Sequence, residues 1–537
     1  MKSESFIKGT IILIIANAVS KILGAILKIP LTYILGEQGM AIYQTAFSVY
    51  IMLLSLITSG LPFAVSKYIA EELALKHPGN VRFSMRFSVL VMCVLGFAAS
   101  CIMFFGADFF AYAMKDPKSP LAIKVIAPSI FFVALGAPYK SCYQGYAHQT
   151  PPAISQVIEA FIKLLAGYSL AAWFASFSVK YTSAAAICGV TIGELFATLL
   201  LFLLYIPYRR ETHAFSPETP RKEIVSALTA VAVPMTAVSV ISGSLSLLDT
   251  SIIRNRLTTL VFTEESARMF LSRYSCYTNI FDNLLTSKKL SFDGARWLFG
   301  AYSGYAATVF NLPAGILAAF GISILPVVTR SLALNDFGRL RQSVSSTAKI
   351  ILMLAMPCSA VLGFFSAPIL DILFKNTASS LMLSCLAPLL IIVTLTQFLC
   401  AVHHAAGKIF TPFLYSLICI GIKIALSYIL VNIPELNILG VIISSFAADL
   451  VQMVLNIWLL RKSFSMPFLR CSDVMKIALC TAVMSGIAIL LYNPLCVILK
   501  NTAVGFFACM TVSVCVYIAM LFLVNVVTKE EIMRLHR

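Results

Sequence analysis

Residues 145–153 read GYAHQTPPA, and residues 405–413 read AAGKIFTPF. Set at an offset of 260 residues, the two stretches share a proline, Pro152 on Pro412, and the register extends outward without a gap. Pro128 falls on Pro388, Lys163 on Lys423 and Tyr168 on Tyr428. Four coincidences of scarce residue types in one register point to a duplication, which sets the architecture before any motif is read. Two further blocks extend it. GVTIGE at 189–194 resembles GVIISS at 440–445, and YQTAFSVYIMLLSLITSGLPFAVSK at 43–67 resembles YAATVFNLPAGILAAFGISILPVVTR at 305–330, aligned near Pro62 and Pro326.

The duplicated segments are apolar. The 537-residue chain is 59% hydrophobic and 12% charged, with a mean hydropathy of +0.91. Soluble domains carry about 25% charged residues, so a water-soluble enzyme is excluded. A helix needs ~20 apolar residues to cross a bilayer. Windows of that length fall at 9–35, 42–70, 84–112, 122–146, 153–177, 183–208, 224–250, 299–329, 344–374, 380–405, 411–432, 437–460, 474–492 and 502–527. The runs are continuous, unlike the alternating ~10-residue strands of a barrel. The predicted fold is an all-α integral membrane protein of about 14 transmembrane helices. The first run is too long for a removable signal peptide and carries Asn17, Lys21 and Lys28.

The repeated unit holds six helices, an even number, so both copies insert with one orientation. Parallel repeats of this kind build transporters whose site lies between two lobes. The expected lobes are 1–208 and 224–462, joined by a linker at 209–223 and followed by an appended helix pair and tail at 463–537. Twenty-two lysines and arginines fall in short segments on the side of both termini, against six opposite. That bias predicts cytoplasmic termini, and it accounts for the net charge of +17 without nucleic acid. One external loop, 251–298, departs from the rule with Arg254, Arg256, Arg268, Arg273, Lys288, Lys289 and Arg296. Its stretch TEESARMFLSRYSCYTNIFDNLL has helical periodicity and reads either as a surface helix or as a plain linker.

Charges inside a membrane cost about 2.5–3.5 kcal/mol each on insertion scales, so they line cavities or find partners. Asn17, Lys21, Gly24 and Lys28 lie on one face of the first helix. The two lysines are separated by about 10 Å at 1.5 Å per residue, a cationic stripe suited to an anion. On the fifth helix Glu159 and Lys163, four residues apart, can neutralise each other. Cys419 stands at the repeat position of Glu159, so Lys423 needs a partner on another helix, for which Asp249 and Asp449 are the deep carboxylates. Glu194 is left to answer Lys21 or Lys163. His403 and His404 close a helix at a cytoplasmic turn and read as interfacial. Fourteen cysteines show no CxxC pair or metal spacing, and no P-loop, HExxH or GxSxG pattern occurs. No cofactor, metal or enzymatic activity is expected.

SKILGAILKIPLTYILG at 20–36, GLPFAVSKYIAEE at 60–72 and NLPAGILAAFGISILPVVTRSLA at 311–333 resemble the multidrug/oligosaccharidyl-lipid/polysaccharide exporter superfamily. Within its polysaccharide branch the chain is most similar to the stage V sporulation protein B group, relatives of the lipid II flippases. The resemblance implies two six-helix lobes around a cavity and a final helix pair that forms a groove for a lipid tail. It places Lys21 at a cavity cation position and Lys28 one residue from a second. It also shows departures, with Thr308 near a flippase arginine position and Lys423 on the helix where some flippases hold sodium by a carboxylate.

The expected function is a flippase carrying a polyprenyl-diphosphate-linked, peptidoglycan-type cell-wall precursor across the bacterial cytoplasmic membrane in sporulation. Partners would be the lipid-linked glycan precursor, membrane lipids and cell-wall synthesis enzymes. Asn17, Lys21, Lys28, Glu159 and Lys163 are the expected substrate residues. Asp249, Lys423, Asp449 and Glu194 are the expected coupling or switch residues. The competing readings are an ion-coupled exporter of amphipathic drugs and a non-transporting scaffold for cell-wall enzymes.

Overall fold

The computed structural model describes residues 6–526, apart from 59, 76, 147, 212–216, 275–283, 325–327, 329–330, 333–335, 409, 465–468, 470 and 525. Lys2, Lys76, Pro326, Arg330, Arg470, Lys529, Arg534 and Arg537 lie outside the described residues, as does the centre of the 263–285 stretch. The protein is an all-α integral membrane protein. Among the described residues, eleven helices are long and apolar enough to span a bilayer, or twelve if the bent pair Ser380–Leu386 and Leu389–Ala405 forms one span.

Among the described residues the fourteen expected windows fall mainly on helix, but three are built differently. The first two windows belong to one apolar run, Ile15–Leu73. Its main part, α1 (Phe6–Thr58), bends at Gly36, whose φ of 59° only glycine adopts at little cost. Helix α2 (Gly60–Ala74) follows with Pro62 in its first turn, where a missing N–H is harmless. In the 299–329 window, residues 299–323 are built from a helix at Phe292–Gly300, a π-helical turn at Ala301–Ala306 and a helix at Ala307–Ser323.

The duplication is visible in hydrogen bonds. Helices α3 (Pro78–Phe105), α4 (Ala107–Ala113), α5 (Pro120–Gly145) and α6 (Thr150–Trp173) lie in the first copy. At the end of α5, Tyr146 N donates to Cys142 O (3.0 Å) and His148 N to Tyr143 O (2.9 Å). In the second copy Ala406 N donates to Val402 O (3.1 Å) and Lys408 N to His403 O (2.9 Å), the same turn in the same register. Ser100 donates to Ala127 O (3.0 Å), just before Pro128, and Ser359 donates to Ala387 O (2.7 Å), just before Pro388. A hydroxyl from a neighbouring helix thus serves the irregular backbone beside each proline, as a lipid environment demands. The helix α5 continues through Pro128, whereas the second copy bends by 43° beside Pro388.

One compact unit comprises Met1–Gly304 with Ile424–Ile438, the other Tyr305–Lys423 with Leu439–Arg537. In the first unit the outer faces are large and apolar, with Leu90, Phe97, Phe105 and Trp173 exposed, while the contacts between helices use small residues. This arrangement suits a chain whose solvent is lipid. Helix α6 meets α7 (Val179–Glu211) so closely that a Cβ on Gly189 would stand 2.5 Å from Gly167 Cα. Helix α8 (Arg221–Thr259) belongs to this unit and carries the first nine residues of the expected 251–298 loop.

In the second unit, the helices Cys471–Ile498 and Thr502–Leu523 share a core with Phe337–Phe364. Tyr517 anchors them by donating to Met353 O (2.8 Å). His403 corrects an expectation. It is fully buried, and its Nε2 donates to Asn456 O (3.0 Å) on the helix Leu439–Phe464, while His404 is exposed. A buried imidazole with one ring nitrogen committed to a carbonyl acts as a brace between helices.

The segment before α8 is hooked to the start of α3. Glu218 accepts from Gly79 N (3.2 Å) and Asn80 N (3.0 Å), and the Asn80 side chain donates to Thr219 Oγ1 (2.7 Å). These N–H groups begin a helix and lack intrahelical partners. Local desolvation opposes ionisation of exposed Glu218, but the backbone N–H groups outweigh it and hold the carboxyl below its usual range. A depressed folded-state value stabilises the hook above the ordinary glutamate pKa of about 4.3, and that contribution is lost as pH falls through the depressed value. Hydrogen exchange at neutral pH should therefore show lower protection of the Gly79 and Asn80 amides in Glu218→Gln. In the wild type, protection should fall towards that of the variant only in acid.

Candidate functional site

Helix α1 places the expected cationic face beside α6. Asn17 Oδ1 accepts from Gln156 Nε2 (2.7 Å), and Ser20 donates to Gln156 O (3.2 Å), so the two helices are zipped at that level. Lys21 is exposed and Lys28 half-buried on the same helix. Among the described residues no carboxylate lies within ion-pair distance of Lys28.

One α-helical turn beyond Gln156 the chemistry changes sign. Lys163 Nζ donates to Glu159 Oε1 (2.9 Å) and stands 4.0 Å from Glu194 Oε1 on α7. All three side chains are largely buried. The expected Glu159–Lys163 pair is present, and of the two partners weighed for Glu194 the structure selects Lys163. The close crossing of α6 and α7 explains how. Gly189 and Gly193 form a GxxxG spacing, and a Cβ at Gly193 would meet Glu159 O at 2.9 Å. Without those glycines Glu194 would stand too far from Lys163 to face it. The signal was present in GVTIGE as a helix-contact motif.

Two carboxylates facing one ammonium leave a surplus negative charge if all three ionise. Tyr50, fully buried on α1, lies beside Glu194 and Glu159. In the second unit Lys423 is close enough for its charge to act on half-buried Asp449. Asp249 is buried on α8 in the first unit.

A second ion cluster, at the opposite end of the first unit from the α2–α3 turn, escaped sequence reasoning. Asp116 is wholly buried, its Oδ2 3.0 Å from Arg254 Nη1 and its Oδ1 2.9 Å from Arg296 Nη2. Thr45 donates to the same carboxylate (3.2 Å), Arg254 contacts the Thr45 hydroxyl, and Arg296 also pairs with Asp293. Lys118 closes the rim on Asp293 (3.1 Å). Burial opposes ionisation of Asp293, yet the hydrogen bond and charge from Lys118, reinforced by Arg296, hold its carboxyl below the usual range. The cluster fastens the helix Phe292–Gly300 to α1 and α8, and Trp297 and Phe299 are buried with it. Arg254 and Arg296 are thus spent inside the protein, which accounts for two of the arginines that depart from the charge bias in the expected 251–298 loop. The segment after α8 is neither a plain linker nor only a surface helix. It holds a capped helix at Glu264–Arg273 and an antiparallel bridge between Val261 and Lys289, with Phe262, Phe270, Tyr274 and Trp297 in a chain of edge-to-face and tilted ring contacts.

The model of the family described as Polysaccharide biosynthesis protein matches residues 6–331. This chain belongs to that family. A second family model, described as Lipid II flippase MurJ, matches residues 299–513. Stage V sporulation protein B of Bacillus subtilis (strain 168) is 21% identical over 100% of this chain and 98% of its own length. Lipid II flippase MurJ of the same organism is 22% identical over 68% of this chain and 65% of its own length. Among solved structures, this family member is similar to lipid II flippase MurJ in an inward closed conformation. The TM-score is 0.66 at 16% identity, over 95% of this chain and 98% of that one. An inward-facing multidrug resistance MATE family transporter of the MOP superfamily gives a TM-score of 0.62 at 13% identity, over 85% and 98%. At these identities the structures support the fold alone.

Proposed function

We propose that this protein is a flippase for a polyprenyl-diphosphate-linked cell-wall precursor of peptidoglycan type, working by alternating access in the bacterial cytoplasmic membrane during sporulation. The observation that carries this reading is Lys28, a half-buried ammonium on a membrane helix with no carboxylate at ion-pair distance among the described residues. Such a charge is costly in lipid unless an anion is brought to it. Lys21 and Asn17 lie on the same helix face, so a diphosphate would meet two ammonium groups and an amide. Lysine binds phosphate as a point charge, and a low dielectric strengthens the attraction. The acidic cavity suited to an amphipathic cation is not what this face offers.

In this reading Glu159, Lys163 and Glu194 form the switch of the first lobe, and Lys423 with Asp449 that of the second, with Asp249 on α8 a further coupling residue. The lobes are 1–208 and 224–462, the appended pair at 463–537 guides the lipid tail, and both termini are cytoplasmic. The full-length likeness to stage V sporulation protein B and the match to the flippase model support the substrate class and the sporulation role. The test is flipping of a fluorescent polyprenyl-diphosphate lipid in proteoliposomes. Lys28→Ala should slow it roughly 10- to 100-fold, the worth of a charge-assisted hydrogen bond of about 1.5–3 kcal/mol, while Lys28→Arg keeps most of it. Equal rates for Lys28→Ala and wild type would remove the anion site from the mechanism.

A further inference from the structure

The first unit holds a groove lined by none of the residues assigned above to flipping. It is formed by α3, α5 and α7 and has a volume of about 380 Å³, within the range of small-ligand pockets. Arg82 and Arg86 stand at one end, and Leu90 and Cys93 continue the same face of α3. Positions 82, 86, 90 and 93 are four, four and three residues apart, which keeps them on one helix face over about 16 Å. That length is about half of a ~30 Å hydrocarbon core. Across the groove Tyr139 on α5 and Tyr205 on α7 lie with ring centroids 5.2 Å apart. Phe202 lies 5.9 Å from Tyr139. Counting from the helix ends, the two tyrosines lie at the level of the arginines, and Phe202 and Leu135 lie deeper.

The groove therefore changes from two guanidinium groups through a tyrosine belt to a purely apolar wall within one leaflet's depth. Guanidinium groups match phosphate oxygens in pairs, tyrosine suits the level of the headgroups, and exposed Leu90 and Phe202 leave the apolar end open to lipid. A zwitterionic headgroup would bring its own cation to the arginines, and a free anion would leave the apolar wall unused. We propose that this groove is a binding site for one anionic phospholipid, its phosphate at Arg82 and Arg86 and an acyl chain along Leu90, Cys93 and Phe202.

The site is separate from Lys21 and Lys28, so its failure and that of the flippase reading are distinguishable. The test is native mass spectrometry of the full chain in detergent, titrated with phosphatidylglycerol or phosphatidylcholine of identical chains. The wild type should retain one phosphatidylglycerol at about tenfold lower lipid concentration than phosphatidylcholine, as two guanidinium–phosphate contacts allow. Arg82→Gln/Arg86→Gln should bring the two lipids to parity. Arg339→Gln/Arg341→Gln, which removes the same charge from an exposed helix start, should keep the preference. Leu135→Trp, which fills the groove and retains both arginines, should lose the tightly held phosphatidylglycerol. Parity in the wild type, or a preference that survives the Arg82/Arg86 double variant, overturns the proposal. So does displacement of the lipid by millimolar inorganic phosphate, which would make the site one for a free anion.

Discussion

Lys163→Met should abolish flipping and destabilise the first unit by roughly 3–5 kcal/mol, the cost of stripping one partner from a buried ion pair. The substitution leaves Glu159 and Glu194 facing each other inside the bundle with the ammonium that lay 2.9 Å and 4.0 Å from them gone. Two buried carboxylates at that spacing cannot both stay ionised, and the close crossing at Gly167 and Gly189 keeps the two helices that carry them together. The informative companion is the triple variant Glu159→Gln/Lys163→Met/Glu194→Gln. Replacing a whole buried ionic group by neutral side chains is often neutral or stabilising, so its thermal midpoint should return to near wild type. If flipping also returns, the cluster is only a brace. If the variant folds but its flipping stays low and has lost any dependence on pH, the cluster is the switch of the first lobe.

The second large effect is expected at Asp116. Asp116→Asn keeps the size of the side chain but leaves Arg254 and Arg296, both almost fully buried, with no carboxylate between them. The loss should again be roughly 3–5 kcal/mol, but with a different signature. The helix Phe292–Gly300 should detach from α1 and α8, so proteolysis between residues 264 and 291 should become fast while the apolar helices stay intact. Melting curves in detergent and the cleavage pattern read the two effects separately. Unchanged protease resistance would mean that the aromatic cluster around Trp297 holds the segment by itself.

The contrast between the two clusters shows what a sequence can and cannot disclose here. Glu159 and Lys163 were legible because both lie on one helix four residues apart, so local geometry brings them together. Glu194 was legible as a deep carboxylate, but its partner depends on how closely α6 and α7 approach, which only the packed glycines set. Asp116, Arg254 and Arg296 are far apart in the chain and come from a turn, a helix end and a loop helix, so no local periodicity joins them. In sequence the two arginines read as exceptions to a charge rule. His403 and His404 are adjacent and chemically identical, and only the packing of the helix Leu439–Phe464 makes one a buried brace and the other an exposed ring.

By itself the sequence determined the solvent, the helical class, the duplication and the cationic face of α1. These follow from composition and from periods of a few residues, and from a repeat whose register survives in matched hydrogen bonds at Ala127 and Ala387. Only the tertiary structure decided that the first two spans are one bent run, that Glu194 belongs to Lys163, and that Asp116 holds the helix Phe292–Gly300 in place. The physical reason is the reach of the forces involved. Hydrophobic patterning is written along the chain, whereas a buried charge is stable only where distant segments converge to neutralise it.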